Sequence, residues 1–392
     1  MTTLREIAKD SANRIAPEDF TLLAASAVGQ TKEFVFREPE HVLSLEEGMR
    51  LRSMIERRAN HEPIAYILGE REFYGLPFSV TRDTLVPRPE TELLVEEALG
   101  LLSKHDKRTV VADLGTGSGA IIVSLAHTLR KMKLLATSNE VSCAERKMNL
   151  KLTSLTLVAT DISPAALDVA KRNAKRKSIH ETVVSDKPIP SNFDQISDGS
   201  CFTNPSPGIP GTPFPKGRNS GLCTSDEEDF SPLEKGSTES SRGGIFTSTS
   251  TAVQSNPSLE ERFDIDFFEG SLLDPIPESV FEEKNNILIV ANLPYLSRTL
   301  YESASDDVRL FEPESALVAD EDGLALYIEL LDDIARRKES RWKDIRVAGL
   351  FEISPEQEPT LKKIFLDRFP SSQNDFLPDL SGRTRVFRFR ID

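Results

Sequence analysis

Cysteine, tryptophan and histidine are scarce in this 392-residue chain, at three, one and five residues. The cysteines, Cys143, Cys201 and Cys223, have neither the paired spacing of a zinc site nor the density of a secreted disulfide scaffold, so they read as thiols in a reducing compartment. The histidines, His41, His61, His105, His127 and His180, form no constellation, and no metal is expected. No apolar run is long enough to span a bilayer, so no membrane association is expected. The first residues, Met1-Thr2-Thr3-Leu4-Arg5-Glu6, lack both the apolar core of a signal peptide and the acid-poor, basic character of a transit peptide, and a cytoplasmic location is expected. Positive charge is also in deficit, with a formal net charge of -15. A grip on phosphate backbone needs a basic footprint, so the balance favours a protein substrate over direct nucleic-acid binding. The densest basic run, Lys171 to Lys177, alternates within a helical pattern and reads as a solvated face.

The segment Val110-Val111-Ala112-Asp113-Leu114-Gly115-Thr116-Gly117-Ser118-Gly119 is followed by Ala120-Ile121-Ile122-Val123, which predicts a strand, a glycine-rich turn and an amphipathic helix. Glycines at alternating positions let backbone approach a ligand and turn sharply into the helix. The dinucleotide fingerprint places two residues before its third glycine; here one residue separates each pair, which argues against NAD. Asp113, opening the loop, disfavours a pyrophosphate and can face the cationic sulfonium or ammonium of S-adenosylmethionine. The plain alternative is a tight strand-to-helix turn with no ligand.

A second acidic strand end supports the cofactor reading. Leu155 to Asp161 reads as a strand, Ser163 as an N-cap and Pro164 as a first helical residue. Asp161 can take both ribose hydroxyls, as an acid does in doubly wound nucleotide sites; its alternative role is helix capping. Further on, the apolar run Ile287-Leu288-Ile289-Val290 ends in Ala291-Asn292-Leu293-Pro294-Tyr295. A strand followed by an amide, a proline and an aromatic suits a site that grips a planar NH2 group. Asn292 accepts through its side-chain oxygen, the backbone carbonyl before proline is held extended, and Tyr295 can pack flat against an amide or base. Taken alone, Asn and Pro after a strand are also ordinary turn chemistry.

These residues together resemble the HemK/PrmC family of class I methyltransferases, which modify the side-chain nitrogen of a glutamine in peptide chain release factors. The resemblance extends over Arg71-Glu72-Phe73-Tyr74-Gly75-Leu76-Pro77-Phe78 and Leu85-Val86-Pro87-Arg88-Pro89-Glu90-Thr91-Glu92, which are similar to the family's interdomain linker. It continues over Asp307 to Pro313, Phe351-Glu352-Ile353 with Gln357, and Asp379 to Arg383. Two positions depart from the family pattern. Leu293 stands where the family usually has a first proline, and Ser271, in Phe267-Phe268-Glu269-Gly270-Ser271-Leu272, stands where an aspartate commonly meets the adenine amino group. A serine hydroxyl can still accept from that amine, so weaker cofactor binding is the expected consequence.

The resemblance implies cofactor contacts at Asp113, Gly115, Thr116, Gly117, Ser118, Gly119, Asp161, Ser271, Leu272 and Asn292. It implies a catalytic loop of Asn292, Leu293, Pro294 and Tyr295, in which Tyr295 forms a pocket wall. The donor implied is S-adenosylmethionine and the partner a release factor. Three other readings stay open: a ribosomal-protein glutamine methyltransferase, an adenine-N6 nucleic-acid methyltransferase, and a decayed module that binds the cofactor without catalysis.

The expected organisation is a helical substrate-docking domain over residues 1–75, with Ser44 and Glu47 as a capping box. A hairpin linker and connecting helix follow over 76–108, the hairpin itself expected between Glu72 and Thr84. A methyltransferase domain over 109–392 has an α/β, Rossmann-like mixed sheet closed by an antiparallel C-terminal hairpin, in which Phe387, Phe389 and Ile391 alternate with Arg388 and Arg390. Insertions over 131–153 and 178–259 interrupt it. The second is dense in Ser, Pro, Gly and Thr and is expected to be disordered, with Asp226-Glu227-Glu228-Asp229 as solvated charge.

Overall fold

A computed structural model of the chain describes residues 2–103, 108–137, 155–179 and 264–392. The cores of both expected insertions, and with them the expectation of disorder, lie outside the described residues.

The chain begins with helices α1 (Leu4–Ser11), α2 (Pro17–Val28), α3 (Lys32–Arg37), α4 (Leu45–Ala59) and α5 (Ile64–Leu68). Their boundaries follow from local chemistry. Ser44 and Glu47 cap α4 reciprocally, each side chain accepting the other's backbone N–H. Pro17 opens α2, and Gly29 closes it at φ +64°. Leu4, Ile7, Leu23, Leu51 and Ile55 form a buried core of their own.

A hairpin follows, β1 (Glu70–Phe73) paired antiparallel with β2 (Leu76–Ser79). Tyr74 and Gly75 both have positive φ, at 52° and 71°, the pattern of a two-residue type I′ turn. The hairpin is therefore tighter than the Glu72 to Thr84 expectation and starts two residues earlier. Helix α6 (Glu92–Leu102) leads into β3 (Thr109–Leu114), α7 (Ala120–Thr137), β4 (Leu155–Asp161), α8 (Pro164–Ile179) and β5 (Ile265–Glu269). The first expected insertion begins later than residue 131, because α7 runs on to Thr137. After β6 (Asn286–Ala291) come the short helices α9 (Arg298–Glu302), α10 (Asp306–Phe311) and α11 (Asp320–Gly323), then α12 (Ala325–Glu339), β7 (Arg346–Glu352), α13 (Glu358–Arg368), β8 (Gln373–Pro378) and β9 (Thr384–Ile391).

Seven strands form one sheet in the order β5-β4-β3-β6-β7-β9-β8, with β3 to β7 parallel and β9 antiparallel to both neighbours. This is the mixed sheet with a reversed C-terminal hairpin expected of a class I methyltransferase. Every residue of β3 and β6 is buried, which is why both read as unbroken apolar runs instead of alternating. Strand order reverses at the β3–β6 pair, where open α/β sheets place their ligand. Register brings the strand ends level: Leu114 pairs with Thr160 and Ala291, and Asp161 pairs with Glu269.

The far side of the sheet is an aromatic cluster. Tyr327 stacks on Phe351 at 4.8 Å, and Phe365, Phe387 and Phe389 complete the packing. Gly349 makes this possible, because a Cβ there would lie 2.2 Å from the Phe389 ring.

Candidate functional site

The glycine loop is shaped from below. Gly115, Gly117 and Gly119 all have positive φ, and the N–H groups of Gly115 and Thr116 both donate to the Thr160 carbonyl at 2.9 Å. A Cβ on Gly117 would meet nothing within 4 Å, so this loop apex is open. Gly119 has a different purpose: a Cβ there would come within 3.1 Å of Ala170, so glycine lets the loop press against α8.

Beside the loop lies a cavity of about 350 Å³. Gly115, Thr116, Gly117, Ser118, Asp161, Ser271, Leu272, Asn292, Leu293 and Pro294 all line it, so residues from four strand ends converge. Asp161 accepts from the N–H of Gly117 through one oxygen and of Ser163 through the other, and burial raises its pKa while those two hydrogen bonds oppose the rise. Ser163 also caps α8, accepting from Ala166 N–H at 3.2 Å. Ser271 follows Gly270, whose N–H donates to the Asp161 carbonyl. Leu272 sits at φ +49°, and its carbonyl accepts the Thr160 hydroxyl at 2.9 Å. That bond holds a conformation which a leucine otherwise avoids.

Three residues expected at the cavity surface are placed behind it. Asp113 is fully buried; one oxygen accepts from the Thr116 hydroxyl at 2.6 Å and the Ile122 N–H at 3.3 Å, so it ties the loop to α7 from beneath. Its other oxygen is buried without a partner. Burial pushes the Asp113 carboxyl up to about 7, against the pull of Thr116 and Ile122. Gly119 is taken up by the α8 contact. Tyr295 is not a cavity wall: its ring packs against the sheet core and its hydroxyl donates to Glu352 at 3.2 Å. A buried phenol needs a polar partner, and the buried carboxylate supplies one.

The loop after β6 is fixed from several sides. Asn292 donates its side-chain N–H to the Thr91 hydroxyl oxygen at 3.1 Å. The Leu293 side chain reaches within 3.0 Å of where a Gly115 Cβ would be, so the loop after β6 touches the glycine loop directly. Gln357 donates to the carbonyls of Tyr295 and Asp322, both at 2.9 Å. Gly323, at φ +84°, lies so close beneath Tyr295 that a Cβ would sit 2.0 Å from its carbonyl oxygen.

The linker closes over the cavity. Arg82, Arg88 and Thr91 line it, Arg88 pairs with the buried Glu312, and Glu312 also accepts the Val86 N–H. Burial raises the Glu312 pKa, and Arg88 opposes that rise. Tyr66 on α5 donates to the Thr84 carbonyl at 2.6 Å, which attaches the N-terminal helices to this linker. No sequence pattern pointed to Thr91, to Tyr327, whose hydroxyl accepts the Leu293 N–H, or to Asn173, which donates to the Ser118 carbonyl of the glycine loop. Thr91 lies in the linker segment Leu85 to Glu92, but no spacing rule pairs it with a residue 201 positions away. Among the described residues, no group of three or more His, Cys, Asp or Glu is arranged to hold a metal, and no helix is long and apolar enough to cross a membrane.

Residues 4–69 match the PrmC N-terminal domain. The release factor glutamine methyltransferase of Shewanella oneidensis is 37% identical over 147 residues, covering 36% of this chain and 51% of that protein. The protein of the same description from Rhodopirellula baltica is 26% identical over 377 residues, covering 94% of this chain and 87% of its own. The chain spans about half the length of the Shewanella relative. Among solved structures, the N-terminal domain of human METTL16 in complex with SAH is 12% identical with a TM-score of 0.36, covering 95% of this chain and 94% of that one. The N-terminal helices thus match the PrmC N-terminal domain, and the chain is similar to release factor glutamine methyltransferases from two organisms.

Proposed function

We propose that this protein transfers a methyl group from S-adenosylmethionine to the side-chain amide nitrogen of a glutamine in a peptide chain release factor, in the cytoplasm. The observation that carries the reading is the Asn292 side chain, tied through its nitrogen to Thr91 and set in the same cavity as the glycine loop. With its N–H engaged there, its Oδ1 is left to accept from a substrate NH2.

The residues present fit the donor. Gly117 offers open space at the loop apex, and Asp161 places a carboxylate at the end of β4 where a ribose would lie. Ser271 and Leu272 edge the same cavity and would meet the base, Ser271 by its hydroxyl. Asp113 acts on the donor through the loop it braces. When bound, S-adenosylmethionine supplies an electrophilic methyl group.

The chain's own contribution is positioning. An amide nitrogen is a poor nucleophile, because its lone pair is delocalised into the carbonyl. Asn292 Oδ1 and the Leu293 carbonyl each take one N–H of the glutamine, which leaves the nitrogen one direction in which to react. Pro294 stiffens the backbone that presents the Leu293 carbonyl. Such fixation is worth on the order of 7–11 kcal/mol of a barrier when the geometry is tight. Tyr295 holds the loop down from behind. The N-terminal helices, where Phe36, Leu45 and Met49 are exposed, are the face offered to the release factor.

The test is transfer of labelled methyl from S-adenosylmethionine, offered release factor, ribosomal proteins and RNA or DNA in parallel. Label on a release-factor glutamine is expected. Asn292→Ala should abolish transfer while calorimetry shows cofactor binding largely intact. Label in nucleic acid or ribosomal protein, or full activity in the variant, overturns the reading.

A further inference from the structure

The linker side of the cavity carries an arginine that none of the steps above uses. Arg82 lines the cavity with 62% of its side chain exposed, and it is held on two sides. One hold is Glu62, a buried carboxylate between α4 and α5, whose Oε1 accepts from Arg82 Nη2 at 3.1 Å. The other is the ring of Phe311 at the end of α10, whose centroid lies 5.0 Å from the guanidinium carbon and which packs against Ala65, Tyr66, Val80 and Val86. Glu62 does not depend on Arg82, because Arg57 on α4 grips it with two bonds of 2.8 Å. Asp83 lines the same cavity next to Arg82. The charges of Arg57 and Arg82 are thus balanced by those of Glu62 and Asp83.

We infer that Arg82 is a specificity-determining residue on the acceptor side of the cavity, where it donates to a main-chain carbonyl of the protein substrate beside the modified glutamine. The inference rests on the methyl-transfer reading above. The side is assigned by what surrounds the residue. The donor's residues come from the ends of β3, β4 and β5, whereas Arg82 shares its linker with Thr91, the partner of Asn292, and its anchor Glu62 belongs to the N-terminal helices. Arg82 therefore stands where a chain resting on those helices would send a glutamine into the cavity. Among the described residues Glu62 takes a single guanidinium N–H, and the others remain for a ligand. The local charge is balanced and Asp161 lines the same cavity, so an anion gains little there. A neutral carbonyl gains a charged donor fixed in direction. A guanidinium braced between a carboxylate and an aromatic face also loses less freedom on binding than a loose one.

The test is steady-state methyl transfer to an intact release factor, with cofactor affinity read by calorimetry and folding by urea unfolding. Arg82→Gln leaves both Arg57 bonds to Glu62 in place, so the unfolding midpoint should be unchanged. Its KM for the release factor should rise about tenfold or more, the worth of a hydrogen bond from a charged donor, with kcat and cofactor affinity within about twofold. Arg82→Lys keeps the charge without the planar fork and should recover only part of the loss. The rise should be the same in low and high salt, because a neutral acceptor is not screened as an anion is. Wild-type KM in folded Arg82→Gln, full recovery in Arg82→Lys, or a loss confined to kcat overturns the inference. So does an effect that vanishes in high salt, which would mark an acidic group on the substrate, or a loss of cofactor affinity, which would mark the donor's carboxylate. Should the wild type transfer no methyl to the release factor, the proposed function falls and this inference with it.

Discussion

The backbone N–H of Leu293 donates to the hydroxyl of Tyr327 at 3.2 Å, at the position where the HemK/PrmC pattern that the sequence resembles has a proline and so no N–H to place. Tyr327 is fully buried, and its hydroxyl also donates to the Glu352 carbonyl. A leucine here thus brings a buried donor and meets its acceptor within the same core.

Tyr327→Phe should therefore cost about 1–3 kcal/mol, the penalty of stranding a buried donor. In a Leu293→Pro background the donor is gone, and the same change should cost clearly less. Urea unfolding of the four proteins measures the coupling. Additive losses would show that the bond contributes nothing.

Asp113 predicts a pH dependence. Its folded pKa, raised by burial to about 7, lies above the ordinary carboxylate value of about 4. The folded state then holds a proton that the unfolded chain has released, so the group's contribution is fully present below about pH 4 and fades as pH rises toward 7. The stability difference between wild type and Asp113→Asn should drift against the wild type over that window and level off above it. A difference independent of pH would mean that Asp113 is ionised throughout.

Gly323→Ala should disable the loop after β6 without touching the glycine loop. The added methyl would fall 2.0 Å from the Tyr295 carbonyl oxygen, at a φ of +84° that alanine also resists. A shift of about 1 Å in a positioning loop costs on the order of a hundredfold in rate. Methyl transfer should drop by about that factor while calorimetric cofactor binding is retained; equal loss of both would place the damage elsewhere.

Gly349→Ala should destabilise by overpacking, by about 1–3 kcal/mol or more, because its methyl would sit 2.2 Å from the Phe389 ring. Phe389→Leu should recover part of the loss in the double variant. Denaturant midpoints of the two single variants and the double give the answer.

The sheet was legible because β3 and β6 are buried on both faces and so appear as unbroken apolar runs, and because Phe387, Phe389 and Ile391 alternate along β9. The cavity's lining from Gly115 to Ser118 was legible because close backbone approach demands glycine. The interior placement of Asp113 was not legible: an acid after a strand reads the same whether it faces a ligand or braces a loop, and only the Thr116 and Ile122 hydrogen bonds decide. Tyr295 was misplaced for a similar reason, since its partner Glu352 lies 57 residues away. Local pattern specifies elements and turns, while the supports behind a site come from segments brought together only by the sheet.

Asn173 is buried on α8, accepts the Ser79 N–H at 2.8 Å, and donates to the carbonyls of Ser79 and Ser118 at 3.0 and 2.8 Å. A single side-chain amide therefore fastens the hairpin strand β2 to the glycine loop. Were a protein to lean on the hairpin and a small molecule to fill the loop, the two would meet at one shared joint. Whatever one does to the other's affinity must be returned by the same factor, so the order in which the two arrive leaves the final balance unchanged.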